Sequence, residues 1–351
     1  MISSDNSILK TFHFIAVLVI ILAGIIASQE VINLILLALF FSIIVLQPIL
    51  ILEKKKIPYT IAIFIVLSGV SLILFVFGAT VGNSISKLMQ DLPLYGEKLS
   101  RTITALIANL NELGLHVNEE QLSSILNYER ILSFTKSVAS ELGNLLSDYF
   151  LISLMMIFML LEFKNFSLKV KLIEKKFDKS MGHINIIAEK IRHYLSIKTY
   201  VSIFTGILIW LSLTIIGIDY AILWGVIAFM LNYIPNIGSL LAAIPTVLFA
   251  LLQLGVGGFI WTAISYLFIN MIVGNIVEPK MMGKGLGLST LVVFVSLIVW
   301  GFLLGMVGVF LSIPITIALK VLLEQNDKTR WIAVLLGSEK ETKHIEKIFN
   351  K

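Results

Sequence analysis

The chain has 351 residues, of which 58% are hydrophobic and only 14% charged, with no cysteine and a formal net charge of +5. Soluble domains carry roughly 25% charged residues, so this composition, with a mean hydropathy of +0.96, excludes a disordered chain, a coiled coil and an ordinary soluble enzyme. Without cysteine there is no disulfide framework, thiolate metal site or cysteine nucleophile.

A helix needs about 20 apolar residues to cross the hydrocarbon core. Residues 14–28 form the first candidate; the only basic groups before it are Lys10 and His13, and it leads straight into a second segment, so it reads as retained rather than as a signal peptide. Further apolar segments follow at 31–52, 57–81, 145–161, 197–217, 220–252, 259–277 and 288–319, eight in all. Pro48 lies near the end of the second, and Gly78 and Gly82 in the third make a small-xxx-small packing face. The fold class predicted is an all-α integral membrane protein.

Basic residues set the orientation. The Lys54–Lys56 turn, nine Lys or Arg against three acids over 164–198, and seven against five from Lys320 onward mark the cytoplasmic side. Residues 83–148 carry five basic and eight acidic groups and face outward. Both termini are expected in the cytoplasm. The outer segment reads as a helical module: Leu99, Ile103, Leu106, Ile107, Leu110 and Leu113 share one helix face, and Asn118 with Gln121 opens a second helix carrying Leu122, Ile125, Leu126, Ile131 and Leu132. The inner segment, with Ile173, Phe177, Ile184, Ile187, Ile191 and Tyr194 roughly on one face among lysines, suits a helix at the anionic inner leaflet. It has no aromatic interleaving and no nucleic-acid-binding motif.

The two overlong segments, 220–252 and 288–319, resemble each other. Gly217 and Gly238 are 21 residues apart, as are Gly287 and Gly308, and Ile244-Pro245 and Ile313-Pro314 follow at nearly equal distances. Each is broken near its middle, at 232–238 and at 301–308. One long tilted helix or two half-length helices in a re-entrant hairpin would both fit. In the hairpin version the repeats are inverted and the 278–287 loop, with Lys280 and Lys284, faces the cytoplasm. Paired, Gly/Pro-interrupted segments point to a transporter site.

Between Lys198 and Lys320 only Asp219, Glu278, Lys280 and Lys284 are charged. A charge at the bilayer centre costs about 2.5–3.5 kcal/mol on insertion scales, so Glu278 is a functional candidate; its structural alternative is an ion pair with Lys280 or Lys284. Asn232, Asn236, Asn270 and Asn275 add polar groups at apolar depth, either for a substrate or as interhelical ties. Pro235 frees backbone carbonyls that something must satisfy. Asp219 reads as a loop residue capping the next helix. No G-x-x-x-x-G-K-[ST] or H-E-x-x-H occurs, and no histidine lies well inside a span, so ATP-driven transport, metalloprotease and Ser-His protease chemistry are unsupported. No catalytic residue, metal or cofactor is expected.

The string VGNIVEPKMMGKGLGL at 273–288, with NYIPNIG at 232–238 and GMVGVFLSIP at 305–314, resembles the autoinducer-2 exporter family of bacterial membrane proteins. Gly274-Asn275, Glu278-Pro279 and Gly283 match that family's GN-x-x-EP-x-x-x-G core, and Pro235 and Gly238 its Pro-x-x-Gly break. Where many relatives carry a Leu-His-Pro-like turn this chain reads Gly287-Leu288-Ser289-Thr290, without a histidine. The resemblance implies a multi-span secondary transporter of the bacterial inner membrane, exporting a small polar signal such as autoinducer-2, and a homo-oligomer. Some members are described instead as sodium or lithium/proton antiporters, and a scaffold or channel without coupled transport is a further alternative. The organisation expected is three spans over 1–82, an extracytoplasmic helical module over 83–147, a fourth span over 148–163, a basic amphipathic cytoplasmic segment over 164–196, a repeat-containing transport core over 197–323 and a cytoplasmic tail over 324–351. The working site is expected where the interrupted segments meet. Glu278, Asn275, Asn232, Pro235, Asn236, Gly238, Gly274, Pro279 and Asn270 would form the substrate or ion pathway.

Overall fold

The computed structural model describes residues 3–112, 149–177, 182–235, 237–282 and 287–338. The helix predicted from Asn118 lies outside these residues. In chain order the elements are α1 (Ser3–Ala27), α2 (Gln29–Lys54), α3 (Tyr59–Glu112), α4 (Tyr149–Phe177), α5 (Gly182–Ile216), α6 (Ala221–Leu231), α7 (Gly238–Ile272), a π turn (Val273–Val277), α8 (Glu278–Met282), α9 (Thr290–Glu324) and α10 (Arg330–Leu335). Six of the described helices are long and apolar enough to cross a membrane. Large side chains such as Phe75, Phe302 and Ile215 are exposed along them, as lipid-facing residues are. The protein is an all-α integral membrane protein.

The six long helices do not map one for one onto the eight apolar segments. The 220–252 segment divides into α6 and the first part of α7. Helix α7 turns back at Gly255, whose φ of 69° and ψ of −158° are non-helical, and continues through the 259–277 segment. Helix α3 does not end with the third apolar segment but runs on to Glu112, so positions 99–110 of the outer module's first stripe belong to the same helix.

The chain divides into two compact units: Met1–Ile63, Phe150–Leu195 and Lys284–Lys351 form one, Phe64–Tyr149 and Ser196–Gly283 the other. In the second unit, α6 is only 11 residues long, about 16 Å and roughly half the 30 Å hydrocarbon core. It stops because Pro235 has no N–H to extend it. The last turn closes with tight bonds from Tyr233 N–H to the Met230 carbonyl (3.2 Å) and from Ile234 N–H to the Leu231 carbonyl (2.9 Å). Gly238 then opens α7 so close to the end of α6 that a Cβ there would overlap the Leu231 carbonyl oxygen; only glycine fits. At the far end, Gln253 Nε2 donates to the Gly217 carbonyl (3.0 Å) and the Asp219 N–H donates to Gln253 Oε1 (2.8 Å). The start of α6 and the end of the first arm of α7 therefore lie at one end, which makes the segment a re-entrant hairpin. Helix α5 packs antiparallel on it; a Cβ at Gly206 would stand 2.8 Å from the Gly225 carbonyl oxygen. Leu213, Trp224, Phe249 and Tyr266 fill the core between these helices.

The first unit contains the second hairpin. Gly305, at φ 63° and ψ −146°, reverses α9 in a region open to glycine alone. Trp300 Nε1 donates across the hairpin to Thr316 Oγ1 (3.0 Å), and Lys320 Nζ donates to the Gly287 carbonyl at its base (2.6 Å). Gly308 packs on the Trp300 carbonyl as Gly238 does on that of Leu231. Asn33 of α2 donates to the Leu304 carbonyl (3.1 Å) at the turn. In the same unit, Glu53 pairs with Lys164 and Tyr59 Oη donates to the Leu160 carbonyl (2.7 Å), which brings the Lys54–Lys56 turn to the basic end of α4.

Candidate functional site

Helix α5 enters its apolar stretch with Lys198, Ser202 and Thr205 at helical spacing, which places them along one stripe, and Thr199 beside it. All three stripe residues are buried. The tip of the first hairpin comes down on this stripe. Asn232 Nδ2 donates to Ser202 Oγ (3.0 Å), and Tyr233 Oη donates to Thr199 Oγ1 (2.9 Å). Thr205 turns its hydroxyl back on its own helix, to the Val201 carbonyl (2.9 Å).

Glu278 reaches the same place from the other direction. From Gly255 the second arm of α7 returns along the hairpin, held by the 3.0 Å hydroxyl pair of Thr246 and Tyr266. The helix then widens into the π turn Val273–Val277 and passes directly into α8 at Glu278. The wider turn precedes Pro279, whose missing N–H is tolerated in the first turn of a helical segment. Lys198 Nζ then stands 2.6 Å from Glu278 Oε1, with the Lys198 side chain 2% exposed and that of Glu278 19%. Among the described residues the partner of Glu278 is thus Lys198, and not Lys280, its neighbour in sequence. Lys280 is exposed, and Lys284 lies outside the described residues.

The other sequence candidates are distributed unevenly. Asn232 is in the cluster, Pro235 and Gly238 form the break beside it, and Gly274 lies in the π turn. Asn275 and Pro279 are exposed and Asn270 is half-buried; none of the three makes a side-chain hydrogen bond to the cluster among the described residues. Asn236 and Gly283 lie outside the described residues. Lys198, Thr199, Ser202 and Tyr233 were not among the candidates. The signal that could have found them is the i, i+4, i+7 polar stripe continuing a basic run into an apolar helix.

The cluster is an ion pair in a poorly hydrated place, next to a broken helix. Two charges there are tolerated because they neutralise each other and are hydrogen-bonded. A proton, a cation or a hydrogen-bonding solute that engages the Glu278 carboxylate competes with Lys198, whose neighbour one helical turn along α5 is Ser202, bonded to Asn232. Such a pair can couple occupancy of the site to rearrangement of the hairpin tip.

A family model described as AI-2E family transporter matches residues 15–327. The chain is 38% identical over 329 residues to the AI-2 transport protein TqsA of Escherichia coli (strain K12), covering 94% of this chain and 96% of that protein. It is 34% identical over 323 residues to the putative transport protein YhhT of the same strain, covering 92% and 93%. A putative transport protein of Borreliella burgdorferi is 28% identical over 349 residues, covering 97% and 94%. With a family model matching residues 15–327 and a relative 38% identical over 94% of its length, the chain belongs to the AI-2E transporter family.

Proposed function

We propose that the chain is a secondary transporter, not an enzyme, that exports a small polar molecule across the bacterial inner membrane, and that the Lys198–Glu278 pair beside the Asn232–Gly238 break is its working site. Autoinducer-2 is the first substrate to test, because the relative TqsA carries it in its name. The observation that carries the reading is the buried ion pair against the tip of a re-entrant hairpin. Glu278 exchanges Lys198 for a proton, a cation or the solute, and Asn232 and Ser202 supply hydrogen bonds to a polar cargo. Asn275, Asn270, Gly274 and Pro279, with Asn236 as a sequence candidate, belong to the pathway leading to the pair, and Pro235 and Gly238 form the movable tip. Both termini and the loop after Glu278 face the cytoplasm on the positive-inside rule. The protein works as a homo-oligomer, for which the open face at Gly82, where a Cβ would meet nothing within 4 Å, supplies a packing surface.

The test uses the purified chain in proteoliposomes loaded with autoinducer-2, with an imposed proton or sodium gradient. Gradient-dependent release supports the proposal. Sodium-driven proton movement without release of the signal would replace it with cation antiport, and movement of neither species would leave the scaffold reading.

A further inference from the structure

At the end of α2, in the first unit, a cavity of about 570 Å³ is lined by Gln47, Leu50, Ile51, Glu53, Lys54 and Arg192. Its chemistry is two-sided. Leu50 and Ile51 belong to the last apolar turns of a membrane-crossing helix, and Ile51 is exposed. Lys54 ends that helix, and Arg192 joins it from α5. The single acid in the lining, Glu53, is already engaged by Lys164, which also sits over the Tyr59 ring. Among the described residues, neither Lys54 nor Arg192 has an ion-pair partner. The cavity therefore offers two uncompensated cations and an amide, from Gln47, above an apolar wall.

We infer that this cavity holds the headgroup of an anionic phospholipid, its phosphate between Arg192 and Lys54 and its acyl chains along Leu50 and Ile51. Three features select this ligand. Arg192 presents a planar fork that can grip two phosphate oxygens, while Lys54 supplies a point charge. The site lies at the polar end of a spanning helix, the depth at which headgroups sit, and basic pockets between helices on that face suit anionic lipids. A soluble anion would have no use for the apolar wall, and a zwitterionic headgroup brings its own cation against Lys54 and Arg192. The site is separate from the Lys198–Glu278 cluster, and its occupancy would tie the Lys54 end of α2 to α5.

The experiment reads lipid binding directly. The full chain is released from detergent and bound phosphatidylglycerol and phosphatidylcholine are counted by native mass spectrometry; affinities are then compared in nanodiscs titrated with phosphatidylglycerol in a phosphatidylcholine background. The expected result is one or more retained phosphatidylglycerol molecules per chain and at least about tenfold weaker binding in Lys54→Gln/Arg192→Gln, the loss of two charge-assisted contacts. Lys55→Gln, which changes a neighbouring exposed cation outside the lining, should bind as the parent does. Lys54→Gln alone, at an exposed position, keeps the test alive if the double variant does not fold, and should weaken binding several-fold. Equal retention of the two lipids, equal loss on Lys55→Gln, or undiminished binding by the Lys54 and Arg192 variants would overturn the assignment. So would inorganic phosphate or glycerol phosphate displacing the lipid at equal concentration, which would make the cavity a site for a soluble anion.

Discussion

Lys198 and Glu278 are 80 residues apart in sequence and 2.6 Å apart in space, joined where α5 meets the π turn that follows α7. The pair is asymmetric: Lys198 is almost completely enclosed, while Glu278 keeps a fifth of its side-chain surface open. A charge held in that way is stable only with its partner, and a partner with access to solvent can be exchanged.

The two partners should respond differently to removal. Glu278→Gln leaves an ammonium buried without a countercharge, a loss of about 3–5 kcal/mol for a buried pair. Lys198→Met leaves a carboxylate that can hydrate through its open face, so it should cost clearly less. The double change Lys198→Met/Glu278→Gln should recover most of the stability lost in Glu278→Gln. Thermal unfolding of the four proteins in one detergent measures the cycle. Parent-like unfolding of Glu278→Gln would mean that the pair is not held as two charges.

The hairpin tips rest on glycines with no room for a side chain. Gly238→Ala drives a Cβ into the Leu231 carbonyl and Gly308→Ala into that of Trp300, both backbone atoms that cannot step aside. Each change should cost about 1–3 kcal/mol or more and lower the yield of folded protein. Gly274→Ala meets nothing within 4 Å and should fold as the parent does. Size-exclusion profiles and unfolding temperatures separate the cases. Equal tolerance at all three positions would remove the close approach from the account.

The first hairpin also fixes which ends of the second unit face opposite ways. Asp219 lies at its base with Gln253, and the neighbouring Tyr220 hydroxyl donates to Asp91. Lys280 follows the tip and is exposed. In this cysteine-free chain, Asp219→Cys should react with an impermeant thiol reagent from outside intact cells, and Lys280→Cys only after the cytoplasmic face is opened. Labelling of both from the same side would contradict the re-entrant topology.

The spans, their charge bias and the break at Pro235 were legible in the sequence because each is local: an apolar run, a count of lysines, a missing N–H. The gap between the 220–252 and 259–277 segments was legible in the same sense, but Gly255 as the turning point was not. The partner of Glu278 was not. Lys198 ends a run of basic residues, so by composition it reads as one more cytoplasmic charge, and Lys280 and Lys284 are nearer in sequence. Only the packing of α5 against the hairpin turns Lys198 inward. The π turn left no pattern of its own either; residues 273–277 read as the last turn before a proline. The second break was readable from its glycine spacing, which fitted one tilted helix as well as a hairpin; the side chains that hold the hairpin, Asn33 at the turn and Lys320 at the base, come from positions that no spacing connects.

In the proposed function the Lys198–Glu278 pair does the coupling and not merely the packing. The direct measurement is gradient-driven autoinducer-2 release from proteoliposomes containing the parent, Glu278→Gln, and the stability-restored Lys198→Met/Glu278→Gln protein, each checked for folding first. Both variants should lose at least tenfold in release, with the double variant folded as well as the parent. Release by the double variant at the parent rate, with the same dependence on the gradient, would contradict this role and leave the pair a structural tie.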